Sequence, residues 1–250
     1  MRNITLKDLN VKIFADGADI EEMKKEYAKG YVSGFTTNPT LMKKAGVMNY
    51  TDFAKEAVRA VPGLPLSFEV FADDFEKMEK EADILASMGD NVYVKIPITN
   101  SKGDSSIPLI YRLSRRGMKL NVTAVFTLEQ VSRAVEAFQD GTDNIVSVFA
   151  GRIMDAGVDA EPLMRAALTF CVEKPGTKLL WASCREVFNI VQADRCGVDI
   201  ITVTNDILNK LPCLGKELTL FSMETVQMFV RDGASLGYSV MDMTTEKNWY

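Results

Sequence analysis

The chain contains no histidine, and its four cysteines (Cys171, Cys184, Cys196 and Cys213) include no C-x-x-C pair. Without histidine, Ser-His-Asp and Cys-His catalysis within the chain are excluded, and a catalytic zinc site loses its usual ligands. The isolated cysteines form neither a zinc ribbon nor a thioredoxin-like motif, and read as reduced thiols in the core or at the surface. Neither G-x-G-x-x-G nor G-x-x-x-x-G-K-[ST] occurs, so dinucleotide and Walker-type phosphate sites have no support. No apolar run approaches the ~20 residues of a membrane-spanning helix. The start, Met1–Asp8, lacks the apolar centre of a signal peptide. Positive charge is not in excess either. The 29 Lys and Arg face 34 Asp and Glu, and a net charge of −5 disfavours nucleic acid and anionic membranes as partners. A cytoplasmic protein is therefore expected, with its acid–base chemistry left to carboxylates, lysine, tyrosine or water.

A chain of 250 residues with 47% hydrophobic and 25% charged residues is an ordinary globular composition. The length suits two modest domains or one α/β barrel of ~250 residues. Strand-like runs recur at Val11–Asp16, Gly34–Asn38, Leu66–Val70, Val92–Ile96, Leu120–Ala124, Ile145–Phe149, Lys178–Ser183 and Asp199–Val203. Helical stripes lie between them. Phe75, Met78, Ala82, Leu85 and Met88 recur every three or four residues, as do Leu128, Val131, Val135 and Phe138. Thr127 with Gln130 reads as a capping box. Strands alternating with helices imply a parallel sheet, and eight such units imply closure into a (β/α)8 TIM barrel. No linker or repeat divides the chain, so a single domain is expected over residues 1–250. Its C-terminal helix, with Leu218, Phe221, Val226, Phe229 and Val230, and a polar tail would begin at about residue 216.

The most informative residue is Lys95, in the middle of Val92-Tyr93-Val94-Lys95-Ile96-Pro97. An ammonium among β-branched and aromatic neighbours is costly unless it is paired, neutralised or put to use. An amine so placed can attack a carbonyl and form a Schiff base, whereas a half-exposed strand would simply hold it in water. The other strands separate the two readings. Side chains two apart share a face. Setting the apolar faces against the helices sends Asp16, Asn38, Glu69, Lys95, Asn121, Thr123, Ser147 and Ser183 inward. Most of them stand late in their strands, where barrel active sites form. Ser183 alone could be a helix cap, but eight polar residues on one face are better read as a site.

These residues resemble a known family. Asp16 in "FADGAD", "TTNPT" at Thr36–Thr40, Glu69 in "SFEVFA" and "VKIP" at Val94–Pro97 look like transaldolase motifs. "NVTAVFT" at Asn121–Thr127, "SVFAGRIMD" at Ser147–Asp155 and "ASCR" at Ala182–Arg185 continue the match in the family's order. The resemblance runs from about residue 11 to 206 and is specific in combination. It implies a metal-free, cofactor-free (β/α)8 enzyme that transfers a dihydroxyacetone unit from a ketose phosphate to an aldehyde. By resemblance, Lys95 forms the imine, Asp16 handles the C4 hydroxyl proton, and Glu69 with Thr123 and a water serves carbinolamine chemistry. Asn38, Asn121 and Ser147 would hold hydroxyls of the three-carbon unit. Arg152, Arg185 and Ser183 would bind the phosphate, for which planar guanidinium is well shaped. The resemblance further implies a homo-oligomer, a pentamer or decamer, and a place in pentose phosphate metabolism.

Within the family, aldolases that cleave fructose 6-phosphate usually carry Gln and Tyr where this chain has Glu69 and Phe149. Transfer is therefore expected over simple cleavage. Two departures bear on the substrate: the polar Ile98–Ser106 loop is long, and Trp181 is large. Either could alter the anion end of the pocket and admit a sulfonated sugar, or be loop variation and a core tryptophan. A barrel that has lost catalysis and serves as a scaffold is the reading from a different class, against which Lys95, Glu69, Asp16 and Thr123 argue together.

Overall fold

All eight predicted strand segments, rich in β-branched and aromatic residues that suit a pleated surface, form strands in a computed structural model that describes residues 4–241. They are β1 (Lys12–Asp16), β2 (Val32–Thr36), β3 (Leu66–Glu69), β4 (Val92–Pro97), β5 (Leu120–Val125), β6 (Asn144–Val148), β7 (Thr177–Trp181) and β8 (Ile200–Thr204). Each pairs in parallel with the next, and β8 returns to β1, closing the (β/α)8 barrel that the sequence predicts. The least accurate boundary is that of β2. Asn38 was read as strand, but its side chain caps the helix Pro39–Lys44, accepting from the Leu41 amide at 3.0 Å. Proline at the first helical position reinforces the stop.

The helices begin where polar caps occur in the sequence. Asp19, Asn49, Asp74 and Asp159 each accept a backbone N–H of the first turn. Thr127 and Gln130 make both halves of the predicted capping box. The apolar stripes then turn toward the sheet, burying Met78, Ala82 and Leu85 on one helix and Val131, Ala134 and Val135 on another. Each aliphatic side chain fully removed from water contributes about 1.5–3 kcal/mol.

Inside the barrel, Phe14, Tyr93, Ile145, Leu180, Ala182 and Ile200 form an apolar plug, with Phe149 packed on it. Gly34 makes this possible. A Cβ there would lie 2.5 Å from the Phe14 ring, so only glycine lets the ring lie across β2. With the apolar residues filling the barrel's lower part, the polar inward residues are left at the C-terminal ends of the strands.

Two compact units are distinguished, the barrel Leu9–Leu211 and a second formed by the segments before Leu9 and after Leu211. The second contains the helix Leu218–Ser235, on the stripe that the sequence predicts, opened by Glu217 accepting from Thr219 and Leu220 at 2.8 Å. Lys216 and Glu224 pair on it. The tail beyond Met241 lies outside the described residues. Among the described residues no helix is long and apolar enough to cross a membrane.

Candidate active site

Lys95 lies inside the barrel near the end of β4, its side chain only 8% exposed. Its ammonium donates to the Thr37 carbonyl at 2.8 Å and meets the Glu69 carboxylate at 3.0 Å. Parallel register aligns the pair, since Glu69 of β3 stands opposite Lys95 of β4. The costly ammonium of the sequence reading is thus a paired one, at the floor of a cavity of about 570 Å³. Asp16, Asn38, Glu69, Lys95, Thr123, Ser147, Phe149, Arg152, Ser183 and Arg185 all line that cavity. Of the residues expected at the site, Asn121 alone stands apart from the lining. It is fully buried, donating to Ser67 Oγ at 3.0 Å and accepting from Ser147 Oγ at 2.6 Å. Its amide holds Ser147 in place. The Asn38 oxygen likewise accepts from the Leu41 amide in its helix cap, while the residue still lines the cavity.

Asp16 accepts from Thr36 Oγ1 at 2.7 Å, and Thr36 in turn lies 2.5 Å from Thr202 Oγ1 of β8. Burial is the largest influence on this carboxyl and, with Glu69 nearby, outweighs the opposing pull of Lys95 and the Thr36 hydrogen bond. Its pKa is raised above the ordinary 3.8. A group with affinity for a proton in this position can take one and return it. Thr123 Oγ1 is buried without a hydrogen-bond partner in the protein. Leaving a hydroxyl so costs about 1–3 kcal/mol unless substrate or solvent satisfies it. Thr36 and Thr202 were missed by the sequence reading, although both fall on inward positions by the same two-residue alternation.

Among the described residues, the only non-glycine residues with positive φ are Ala124 (57°) and Ser183 (63°), and both line the cavity. Left-handed backbone at such residues costs on the order of 1–3 kcal/mol and concentrates at functional sites. At β5 the turn accompanies a register shift between Val122 and Val125. At β7 it corrects the sequence reading, which put Trp181 and Ser183 on one inward face. Leu180 and Ala182 point inward, so Trp181 faces the helical layer, fully buried. Ser183 reaches the cavity because its backbone departs from strand geometry. Nor does Ser183 cap the next helix, which begins at Phe188 after Val187.

The far end of the cavity carries the two arginines. Arg152 belongs to the helix Ala150–Asp155, its guanidinium 5.9 Å from the Phe149 ring centroid. Arg185 makes a two-pronged pair with Asp155, one turn beyond Arg152. Gly151 sits between the two loops. A Cβ at this position would lie 1.6 Å from the Ser183 carbonyl oxygen, so the loops touch backbone to backbone.

Neither departure noted in the sequence lines the cavity beside these arginines. The Ile98–Ser106 loop folds as a small hairpin, with a Thr99–Ser105 bridge and Asn100 accepting from Lys102 and Asp104. Asp73 anchors it by accepting from the Ser101 amide and hydroxyl, both at 2.7 Å. It walls a second cavity of about 520 Å³ whose lining also includes Glu69 and Pro39. Trp181 faces away from both.

A closed parallel barrel with a lysine–carboxylate pair at its C-terminal mouth and two arginines lining the same cavity places this protein among the (β/α)8 barrels whose polar cavity opens at the C-terminal ends of the strands. Comparison with known proteins sharpens this. The family model described as "Transaldolase/Fructose-6-phosphate aldolase" matches residues 13–248. A protein of Methanococcus maripaludis (strain C7) named "Probable transaldolase" is 37% identical over 202 residues, covering 80% of this chain and 89% of the relative. One of the same name from Kosmotoga olearia is 38% identical over 202 residues, covering 80% and 88%. The solved structure of 2,3-dimethylmalate lyase has a TM-score of 0.55 at 12% identity, covering 92% of this chain and 86% of that one, which speaks for the barrel alone. The chain belongs to the transaldolase/fructose-6-phosphate aldolase family.

Proposed function

We propose that the protein is a transaldolase, moving a dihydroxyacetone unit from a ketose phosphate to an aldehyde acceptor through a Schiff base on Lys95. The observation that carries this reading is the Lys95–Glu69 contact of 3.0 Å at the floor of a cavity whose other end holds Arg152 and Arg185. In its neutral form Lys95 attacks the C2 carbonyl, and the carbinolamine loses water to give a protonated imine. Glu69, beside the nitrogen, and Thr123, with its unpartnered hydroxyl, are suited to move the protons of that step. Asp16 then takes the C4 hydroxyl proton as the C3–C4 bond breaks, and the bonding electrons pass into the imine to form an enamine. The aldehyde half leaves. An incoming aldehyde accepts the enamine carbon, and Asp16 returns the proton to its oxygen.

Arg152 and Arg185 suit the substrate phosphate, because a guanidinium gives a tetrahedral oxyanion paired, charge-assisted donors. Asp155 holds the Arg185 fork in a fixed orientation. Phe149 favours transfer over hydrolysis. Its ring packs on the apolar plug and lies 5.7 Å from Phe126, presenting no hydroxyl to direct water at the enamine.

The test is borohydride reduction in the presence of fructose 6-phosphate, followed by peptide mass spectrometry. The expected product is a reduced three-carbon adduct on Lys95, absent from Lys95→Arg because guanidinium stays protonated and cannot attack. Labelling at another lysine, or none with any ketose phosphate, sinks the reading. Turnover of fructose 6-phosphate should be slow alone and rise sharply with an aldehyde acceptor. Rapid release of dihydroxyacetone without acceptor means an aldolase instead.

A further inference from the structure

Three oxygen atoms from three adjacent strands form a hydrogen-bonded chain at the barrel wall: Asp16 Oδ1 on β1, Thr36 Oγ1 on β2 and Thr202 Oγ1 on β8. The spacings are 2.7 Å and 2.5 Å, and both threonines are buried. We propose that Thr202 is a positioning residue for Asp16, acting through Thr36 as a two-way hydrogen-bond relay that satisfies the carboxyl in both of its protonation states. The inference rests on the proton-carrying role given to Asp16 above.

Counting protons leads to the relay. Each threonine hydroxyl has one hydrogen to donate and lone pairs to accept. When Asp16 is a carboxylate, the Thr36 hydrogen must point at it, since two bare oxygens at 2.7 Å repel. Thr36 can then only accept from Thr202, so the donors run from Thr202 to Thr36 to Asp16. When Asp16 carries its proton on Oδ1, that oxygen donates to Thr36, which is then free to reverse and donate to Thr202; with the proton on the other oxygen the donors keep their direction. No proton crosses between the residues and no bond to carbon changes. Only the two hydroxyl rotors turn. A chain of donors aimed at a charged acceptor is stronger than its separate links, because each bond polarises the next. Valine at position 202 keeps the branched shape and removes only the hydroxyl, so Thr36 loses its donor and the carboxylate its polarised partner.

The charged groups facing Asp16 are Lys95 from β4 and Glu69 from β3, and the first favours the carboxylate while the second opposes it. Thr204, next inward on β8, turns its hydroxyl to Asp206 at 2.5 Å, away from this line. Neither Lys95 nor Glu69 is altered by a change at Thr202, so any displacement of the Asp16 titration reports the relay.

The decisive experiment titrates the Asp16 carboxyl by NMR on protein labelled with carboxyl-¹³C aspartate, the resonance being assigned by its loss in Asp16→Asn. Thr202→Val should raise the midpoint by about half a pH unit or more, and Thr202→Ser should restore it. The same shift should appear in the acid limb of kcat/KM for ketose cleavage, with a fall of roughly three- to tenfold below it. Borohydride trapping of free dihydroxyacetone at Lys95, which needs no C4 proton transfer, should be unchanged in Thr202→Val. An unmoved midpoint overturns the relay. Equal loss of trapping and cleavage, not rescued by serine, reduces Thr202 to a packing role and overturns it as well. A wild-type protein that forms no adduct refutes the transaldolase reading instead, and the NMR comparison still decides the relay.

Discussion

Replacing Glu69 by glutamine should destabilise the protein, and replacing Lys95 as well should restore most of what is lost. The two charges lie 3.0 Å apart, with the side chains 8% and 16% exposed. At an effective dielectric of ~20, opposite unit charges at that distance attract by roughly 5–6 kcal/mol. Removing one partner of a buried pair strands the other, for which losses of about 3–5 kcal/mol are typical. Water in the open cavity softens this, so the lower figure is expected. For a chain of this size ~3 kcal/mol corresponds to roughly 6–12 °C in Tm, at about 2–4 °C per kcal/mol. Glu69→Gln should show that drop, because Lys95 keeps only the Thr37 carbonyl as a direct partner, with Asp16 as its remaining nearby carboxyl. Lys95→Met leaves a carboxylate that can turn toward cavity water, and should cost less. The double variant strands neither member of the pair, while Asp16 loses the pull of Lys95 together with the opposing push of Glu69, so most of the loss should be recovered. The four proteins need calorimetry and urea titration at one pH and one ionic strength, with the coupling read from the cycle. A coupling below about 0.5 kcal/mol, with the two losses simply adding, would refute the argument and mean that solvent already screens the pair.

Other consequences follow from neighbouring residues. The Asp16 pKa is raised above 3.8 chiefly by burial, so the folded state holds its proton more tightly than the unfolded one. That contribution is fully present below 3.8 and is lost as pH rises through the folded value, so Asp16→Asn should melt higher than wild type at pH 7 and lose its advantage toward pH 3. A wild type that melts higher at pH 7 would contradict the burial argument. Arg152→Ala and Arg185→Ala should each lower kcat/KM for phosphorylated substrates by about tenfold to a hundredfold while sparing borohydride trapping of dihydroxyacetone. Equal losses on both would make the arginines structural. The Trp181 indole N–H is fully buried with no partner. Trp181→Phe removes an unsatisfied donor along with some packing, so urea denaturation should show a change under about 1.5 kcal/mol, against about 3–5 kcal/mol for Trp181→Ala.

Where local rules governed the backbone, the sequence was readable. The capping box at Thr127 and the two-residue alternation of β1, β3, β4 and β6 led directly to the helices and to Asp16, Glu69, Lys95 and Ser147. Alternation failed where the backbone leaves strand geometry. Ala124 and Ser183, with φ of 57° and 63°, reach the cavity from positions that a regular strand would point elsewhere. The departure at β7 also decides between the two readings of Trp181, which is the core tryptophan rather than a residue that shapes the cavity. Asn38 shows the other limit. A side chain can satisfy a strand pattern and a helix-cap pattern at once, and only the geometry says that its oxygen belongs to Leu41. The Asp155–Arg185 pair joins side chains 30 positions apart and has no local signature.

The backbone contact at Gly151 makes the spacing between the segments that carry Arg152 and Arg185 a fixed gauge. The loops carrying Arg152 and Arg185 press together so closely that one methyl group at residue 151 would have to displace the Ser183 carbonyl, itself held in a left-handed turn. The mouth cannot widen by gradual drift of one loop against the other. If the arginines hold the substrate's anion as proposed, a change in that anion has to come from side chains that move without moving the frame, such as Asp155 or Phe126. Mutant libraries aimed at new acceptors should hold Gly151 constant and vary those positions, because variation at residue 151 would sample mostly broken pockets.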